Sequence, residues 1–121
     1  MTYEQIVEKV RTAYERYADA RDIFEHVAIQ VNIEGEGHGA FYIEVAQRQI
    51  CVEPYEYYDR DAVIVTTGDV IFEIADGKRV FHEAVNEGLV KVYGNLDKLA
   101  LLGKIKFDKK KGKTTSKRLD S

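Results

Sequence analysis

The sequence has little of what disulfide-linked or membrane-spanning proteins need. Its 121 residues contain no tryptophan and only one proline, one methionine and one cysteine, Cys51, which excludes an internal disulfide framework. Apolar runs are a few residues long, whereas a membrane-spanning helix needs ~20. The first 22 residues are amphipathic and rich in Glu and Arg, unlike a secretion leader. We therefore expect a soluble, cytoplasmic protein.

Residues that carry chemistry are also scarce and scattered. His26, His38 and His82 show no spacing typical of metal ligands, and Cys51 alternates with apolar neighbours like a small hydrophobic residue. The glycine-rich residues 35–39 join two predicted strands and open no helix, so they do not form a phosphate loop. We predict no metal, no cofactor and no catalytic residue. A small hydrolase or isomerase that uses His82 is the least favoured alternative.

Charge is distributed unevenly along the chain. Residues 104–121 carry eight basic and two acidic residues, a net charge of +6, while the rest carries −9. We predict one domain over residues 1–103 and a basic, disordered tail over residues 104–121. The alternative for the tail is weak attraction to anionic membranes, at about 1 kcal/mol per lysine. Nucleic acid is not expected as a partner, because the acidic body would repel phosphate.

The first half of the chain predicts one helix followed by strands. Thr2 and Gln5 fit a capping box, and apolar residues then recur at helical spacing from Tyr3 to about Ala20. From Val27 the period changes to two, which predicts a half-buried antiparallel strand, a turn at residues 35–39, a second strand over residues 41–46 and a short third strand over residues 50–52. Helices beside such a sheet give an α+β two-layer sandwich.

Three tyrosines follow the third strand, in the polar connection after Pro54. Tyr55, Tyr57 and Tyr58 alternate there with acidic residues, which disfavours stacking on nucleic-acid bases. We interpret this cluster as a cover for the edge of the sheet. Self-association into a homodimer through the exposed rings is the alternative.

The stretch from Asp61 to Leu102 packs short apolar elements with almost no polar chemistry between them. It predicts a strand over residues 62–66, helices over residues 69–77 and 80–87, a strand over residues 89–93 and a helix after Asn95. Its motif residues are Asp61, Val63 to Val65, Asp69 with Phe72, Gly77-Lys78, Phe81 with Ala84, Gly88-Leu89-Val90-Lys91-Val92 and Gly94-Asn95. In this order they resemble the C-terminal half of the sterol carrier protein type 2 family, which consists of small lipid-binding domains.

The resemblance implies a fold and a function. The fold is a mostly antiparallel, roughly five-stranded sheet with helices on one face that enclose an apolar tunnel. The tunnel would bind a fatty acid, an acyl-CoA or a sterol-like lipid without catalysis, and intracellular transfer of this ligand is the role that the resemblance implies. The ligand-binding residues are expected to be Ile71, Phe72, Ile74, Val80, Phe81, Ala84, Val85, Val92, Leu99 and Leu102.

Periodicity alone favours another interpretation of the same residues. Leu and Phe at helical spacing more often belong to a closed core than to a pocket, and only the resemblance reverses that preference. An interaction or dimerisation module with a closed core is thus the second hypothesis. In the lipid-binding interpretation, the helix around Leu96 to Leu102 is expected to gate the tunnel.

Overall fold

The computed structural model describes residues 1–107, which form a five-stranded sheet packed against helices and a separate two-stranded sheet. The helices are α1 (Tyr3–Arg11), α2 (Gly68–Ala75), α3 (Phe81–Asn86) and α4 (Leu96–Leu101), with a π-helix at Thr12–Tyr17 and a 3-10 turn at Leu102–Lys104. The strands are β1 (Ala18–Asp19), β2 (Val27–Glu34), β3 (Gly39–Ala46), β4 (Gln49–Glu53), β5 (Ala62–Thr67), β6 (Lys91–Gly94) and β7 (Lys106–Phe107). No helix in this part of the chain is long and apolar enough to cross a membrane.

The main sheet has five strands in the order β4-β3-β2-β5-β6. Every neighbouring pair is antiparallel except β2 and β5, which run parallel. The predicted α+β fold with a mostly antiparallel, five-stranded sheet is therefore confirmed. The prediction of a purely antiparallel, half-buried β2 was wrong, because β2 lies at the centre of the sheet and its first five residues are buried on both faces.

The tyrosine-containing loop explains why the outer face of β2 is buried. The backbone N–H of Tyr57 donates to Gln30 Oε1 of β2 at 3.2 Å, and the Tyr57 ring contacts the Tyr42 ring of β3 edge-on, with centroids 4.8 Å apart. Tyr57 thus covers the outer face of the central strands rather than the edge of the sheet. Tyr55 and Tyr58 are 64% and 91% exposed, so they cover nothing comparable.

The first helix begins as predicted and ends earlier. The capping box is present, since Gln5 N donates to Thr2 Oγ1 at 3.1 Å and Thr2 N donates to Gln5 Oε1 at 2.8 Å. The prediction of one α-helix to Ala20 was wrong, because α1 gives way to the π-helix at Thr12. The chain then extends as β1, whose backbone pairs with β7 near the other end of the domain. Ordered structure therefore continues past residue 103, and residues 108–121 of the predicted tail lie outside the described residues.

Two glycines end α2 and α3 in the same way. Gly77 and Gly88 have φ values of +77° and +80°, and the residue after each donates its N–H to a carbonyl five residues earlier, which is the Schellman arrangement. The second cap holds Leu89 N on Ala84 O at 2.9 Å. For this reason β6 begins at Lys91, two residues later than the sequence predicts.

Another glycine allows the close approach of α1 to α2. A Cβ atom on Gly68 would lie 2.5 Å from Ile6 Cδ1. Ile6 is fully buried, so α1 packs tightly over the beginning of α2. This contact fixes the two helices relative to each other above the sheet.

Candidate functional site

An apolar cavity of about 660 Å³ lies between one face of the sheet and the helices. Its floor is formed by alternate residues of the strands, which share a face because side chains in a strand alternate. Ile29 of β2 and Ile43 of β3 are directly paired, as are Ile64 of β5 and Val92 of β6. The volume lies within the range typical of small-molecule sites, roughly 300 to 1,000 Å³.

The roof of the cavity comes from the short helices and the segments between them. Its residues are Ile71, Ile74 and Ala75 from α2, Val80 before α3, Phe81 and Val85 from α3, Leu96, Leu99 and Ala100 from α4, and Leu102, Ile105 and Phe107 beyond it. Val80, Leu96 and Phe107 are between 46% and 57% exposed. The cavity therefore reaches the protein surface on the side of these three residues.

Eight of the ten sequence-predicted binding residues line this cavity. They are Ile71, Ile74, Val80, Phe81, Val85, Val92, Leu99 and Leu102. Whether they contact a ligand stays a prediction, as does the continuation of the cavity into a tunnel.

Phe72 and Ala84 are not part of the cavity wall. Phe72 lies one position away from Ile71, which turns it by about 100° around the helix. Its ring faces the Lys9 ammonium, with Nζ 5.0 Å from the ring centroid. Ala84 is fully buried in the core. The sequence showed both residues as apolar but did not show which helix face would meet the cavity.

Sequence analysis missed the part of the wall that the π-helix supplies. Ala13, Tyr14 and Tyr17 lie on the cavity, together with Phe107, whose ring contacts the Tyr14 ring edge-on at 5.0 Å. Burial raises the pKa of the Tyr14 hydroxyl to about 12. The spacing of the two tyrosines indicated a shared helix face, but nothing in it indicated a widened π turn.

The arginine side chain at the rim of the cavity is paired with carboxylates. Arg79 lines the cavity and donates from Nε to Glu73 at 2.8 Å, and its Nη1 lies 3.4 Å from Glu87. His82 is exposed on the rim, and no hydrogen bond or ion pair joins it to another side chain among residues 1–107. The wall thus offers apolar contact over most of its area.

The densest group of titratable side chains lies elsewhere, on the outer face of the sheet. Glu44 Oε2 is 2.6 Å from His26 Nε2 and accepts a hydrogen bond from the Tyr57 hydroxyl at 2.9 Å. Burial and the neighbouring Glu44 carboxylate raise the pKa of Cys51 to about 11, so its thiol is protonated at neutral pH. Within the described residues no cluster of three or more His, Cys, Asp or Glu side chains could hold a metal ion.

Known structures with this arrangement include small carriers and a domain of a larger enzyme. No model of a known family and no curated protein matches the sequence. The crystal structure of sterol carrier protein 2-like 2 from Aedes aegypti matches 84% of this chain and 93% of its own, with 18% identity and a TM-score of 0.61. The solution structure of the palmitated form of that protein matches 86% of this chain and 93% of its own, with 16% identity and a TM-score of 0.57.

The enzyme is a double mutant of the sec-alkyl sulfatase PisA1 from Pseudomonas sp.. It matches 74% of this chain with 16% identity and a TM-score of 0.62, but this chain spans only 14% of the sulfatase. The Aedes protein, by contrast, is matched over nearly its whole length. The chain therefore has the fold of the sterol carrier protein 2 domain.

Proposed function

We propose that this protein binds a hydrophobic molecule in the cavity between sheet and helices, without catalysis. The observation that carries the proposal is the 660 Å³ cavity itself, with isoleucines of the sheet on its floor and apolar side chains of the helices above. A closed core would bring these side chains together instead. The cavity thus favours ligand binding over the alternative of a closed interaction module.

The fold supports the same ligand class. The solution structure of the Aedes protein is of its palmitated form, so an acyl chain is accommodated there. For this chain we propose a fatty acid, an acyl-CoA or a sterol-like lipid. Each CH₂ group moved from water into the cavity contributes about 0.8 kcal/mol, so a long chain binds without any strong polar contact.

We further propose that α4 gates the cavity and that the protein transfers its ligand. Helix α4 has only six residues, and it places Leu96 and Leu99 on the cavity. It is tied to the sheet by few polar contacts, among them Lys98 Nζ to the His26 carbonyl at 2.5 Å and Asn95 N to the Asp61 carbonyl at 2.9 Å. A short element held this way can move without unfolding the sheet.

Replacement of Phe81 by Asp tests the binding site. Phe81 lines the cavity, and an unpaired carboxylate there costs several kcal/mol or opens the structure locally. We expect Phe81→Asp to abolish binding of a fluorescent fatty acid in an equilibrium titration.

The matched control is Phe24→Asp. Phe24 is 73% exposed, and its ring lies beside the Arg48 guanidinium rather than on the cavity wall. Circular dichroism is used to check that both variants fold. Equal affinity of folded Phe81→Asp and wild type would remove Phe81 from the binding site.

A further inference from the structure

Tyr14 lies between two spaces in the structure, an apolar cavity and a polar groove. The π-helix places it on the wall of the apolar cavity and also on a neighbouring polar groove. The groove is lined by Glu15, Ala18, Asp19, Ala20, Arg21, Arg48, Gln49, Ile50 and Lys106 as well. A chain-like ligand that fills the cavity can therefore bring its polar end to Tyr14.

The Tyr14 hydroxyl has no hydrogen-bond partner among residues 1–107. Yet no side-chain oxygen or nitrogen in that part of the chain is both inaccessible to solvent and without a hydrogen-bond partner. The hydroxyl must accordingly face one of the two spaces that Tyr14 lines. A hydroxyl that lies deep in a protein without a hydrogen-bond partner costs free energy. A ligand whose oxygen accepts a hydrogen bond from it therefore binds more tightly.

Two features determine the chemistry of that oxygen. The Tyr14 hydroxyl keeps its proton at neutral pH, because burial raises its pKa to about 12, and so it acts as a donor. The cations of the groove are only partly neutralised by carboxylates. Arg21 Nη2 lies 2.8 Å from Asp19 and Lys106 Nζ lies 3.7 Å from Asp22, while Arg48 Nε donates to the Arg21 carbonyl.

Arg48 keeps its full charge, because a carbonyl oxygen does not neutralise a guanidinium, so a ligand carboxylate is not disfavoured at this place. A hydroxyl, a carbonyl or a carboxylate oxygen of the ligand can each accept the hydrogen bond from Tyr14.

We propose that the Tyr14 hydroxyl donates a hydrogen bond to an oxygen at the polar end of the ligand, whether of a hydroxyl, a carbonyl or a carboxylate. The cavity then selects lipids that carry such an oxygen over bare hydrocarbons. This inference rests on the proposed binding function and adds the class of ligand to it.

The test compares lipids that differ only at the polar end. Radiolabelled 1-hexadecanol, hexadecane and ionised palmitate are partitioned at pH 8 between the protein and phosphatidylcholine vesicles. For each lipid, the partition coefficient of wild type is divided by that of Tyr14→Phe, so that the affinity of the lipid for the vesicles cancels. We expect Tyr14→Phe to weaken the binding of hexadecanol and of palmitate about tenfold and to leave that of hexadecane within about twofold.

Tyr58→Phe is the control, because Tyr58 is 91% exposed and does not line the cavity. We expect Tyr58→Phe to change none of the three ratios by more than about twofold.

The outcomes separate the two proposals. If wild-type protein takes up none of the lipids, the binding function fails and this inference fails with it. If hexadecane and hexadecanol bind but respond equally to Tyr14→Phe, the cavity function stands and the role of Tyr14 is refuted. An effect of Tyr58→Phe as large as that of Tyr14→Phe also overturns the inference.

Discussion

At the scale of single residues, Asp61 joins β2 to β5 through both its side chain and its backbone. Its Oδ2 accepts the backbone N–H of Ala28 at 2.8 Å, and its own N–H donates to the Ala28 carbonyl at 2.8 Å. Its carbonyl accepts from Asn95 at the start of α4. Asp61 therefore ties β2, β5 and the proposed gate helix together.

We expect Asp61→Ala to destabilise the protein by about 1 to 3 kcal/mol, because the N–H of fully buried Ala28 loses its acceptor. Urea denaturation measures the change. Asp61→Asn retains an acceptor oxygen and should lose less. Equal stability of wild type and Asp61→Ala would mean that the Ala28 N–H is satisfied in another way.

The Glu44 carboxyl makes the stability of the protein depend on pH in the acidic range. Burial is the largest influence and raises its pKa, but hydrogen bonds from His26 and Tyr57 outweigh burial, so that the pKa of Glu44 lies below its usual value of 4.5. A carboxyl whose pKa is lower in the folded than in the unfolded protein stabilises the fold. This contribution is complete at pH values above the pKa in the unfolded protein, and it is lost as the pH falls through the pKa in the folded protein.

We thus expect wild type to exceed Glu44→Gln in unfolding free energy at pH 5.5, and the difference to shrink at pH 3. Urea denaturation at both pH values checks this. Glu34→Gln removes an exposed carboxylate at the end of β2 and serves as the control. A difference that stays constant between the two pH values would contradict a role for the ionised Glu44 side chain.

Some residue positions could be predicted from the sequence and others could not. The alternation in β2 and β3 identified Ile29 and Ile43 as facing one side, but alternation does not reveal which side meets a cavity. Likewise, helical spacing placed Ile71 and Phe72 in one apolar set, whereas the packing of α1 drew Phe72 toward Lys9. In both cases, residues distant in the sequence determine which face of the element meets the cavity.

At the scale of elements, the β3–β4 hairpin has an unfavourable turn sequence. Gln47 and Arg48 form its two-residue loop with φ values of +52° and +65°. These values are typical of a type I′ turn, in which Asn and Gly are preferred because other residues are strained at positive φ.

We expect Gln47→Asn to stabilise the protein by roughly 0.5 to 1 kcal/mol and to raise Tm by a few degrees in a thermal melt. Gln49→Asn is the control, because Gln49 lies in β4, where asparagine is disfavoured. A lower Tm for Gln47→Asn than for the control would show that the turn is not strained at Gln47.

Elements with strong local signals were predicted well. Thr2 and Gln5 mark the beginning of α1, and Gly77 and Gly88 mark the ends of α2 and α3, because caps depend on a few adjacent residues. The π-helix was missed because its residues continue the helical spacing of α1, and β1 was missed because it pairs with β7, about 90 residues later in the chain. Pairing over that distance leaves no local pattern.

At the scale of the whole molecule, charge is separated along the chain. Residues 108–121 carry six basic and two acidic residues, a net charge of +4. The cavity-lining residues named above all lie within residues 1–107. Long-range attraction of this segment to an anionic membrane would raise the rate of encounter and weaken as salt shortens the Debye length to about 8 Å.

We expect deletion of residues 108–121 to leave stability and equilibrium lipid affinity nearly unchanged but to slow delivery to anionic vesicles at low salt. Transfer rates to anionic and neutral vesicles, each at low and high salt, compare full-length and truncated protein. Equal rates under all four conditions would remove the membrane-steering role of this segment.

Native mass spectrometry of the protein, purified from its natural host without added lipid, tests most directly whether the cavity carries a ligand. We expect one hydrophobic molecule per chain, released by organic extraction. Val92→Trp should lose this mass because Trp fills the cavity from β6, while Val63→Trp, on β5 next to cavity-lining Ile64, should keep it. Wild-type protein that appears only as the bare chain, whether monomer or dimer, would contradict the account.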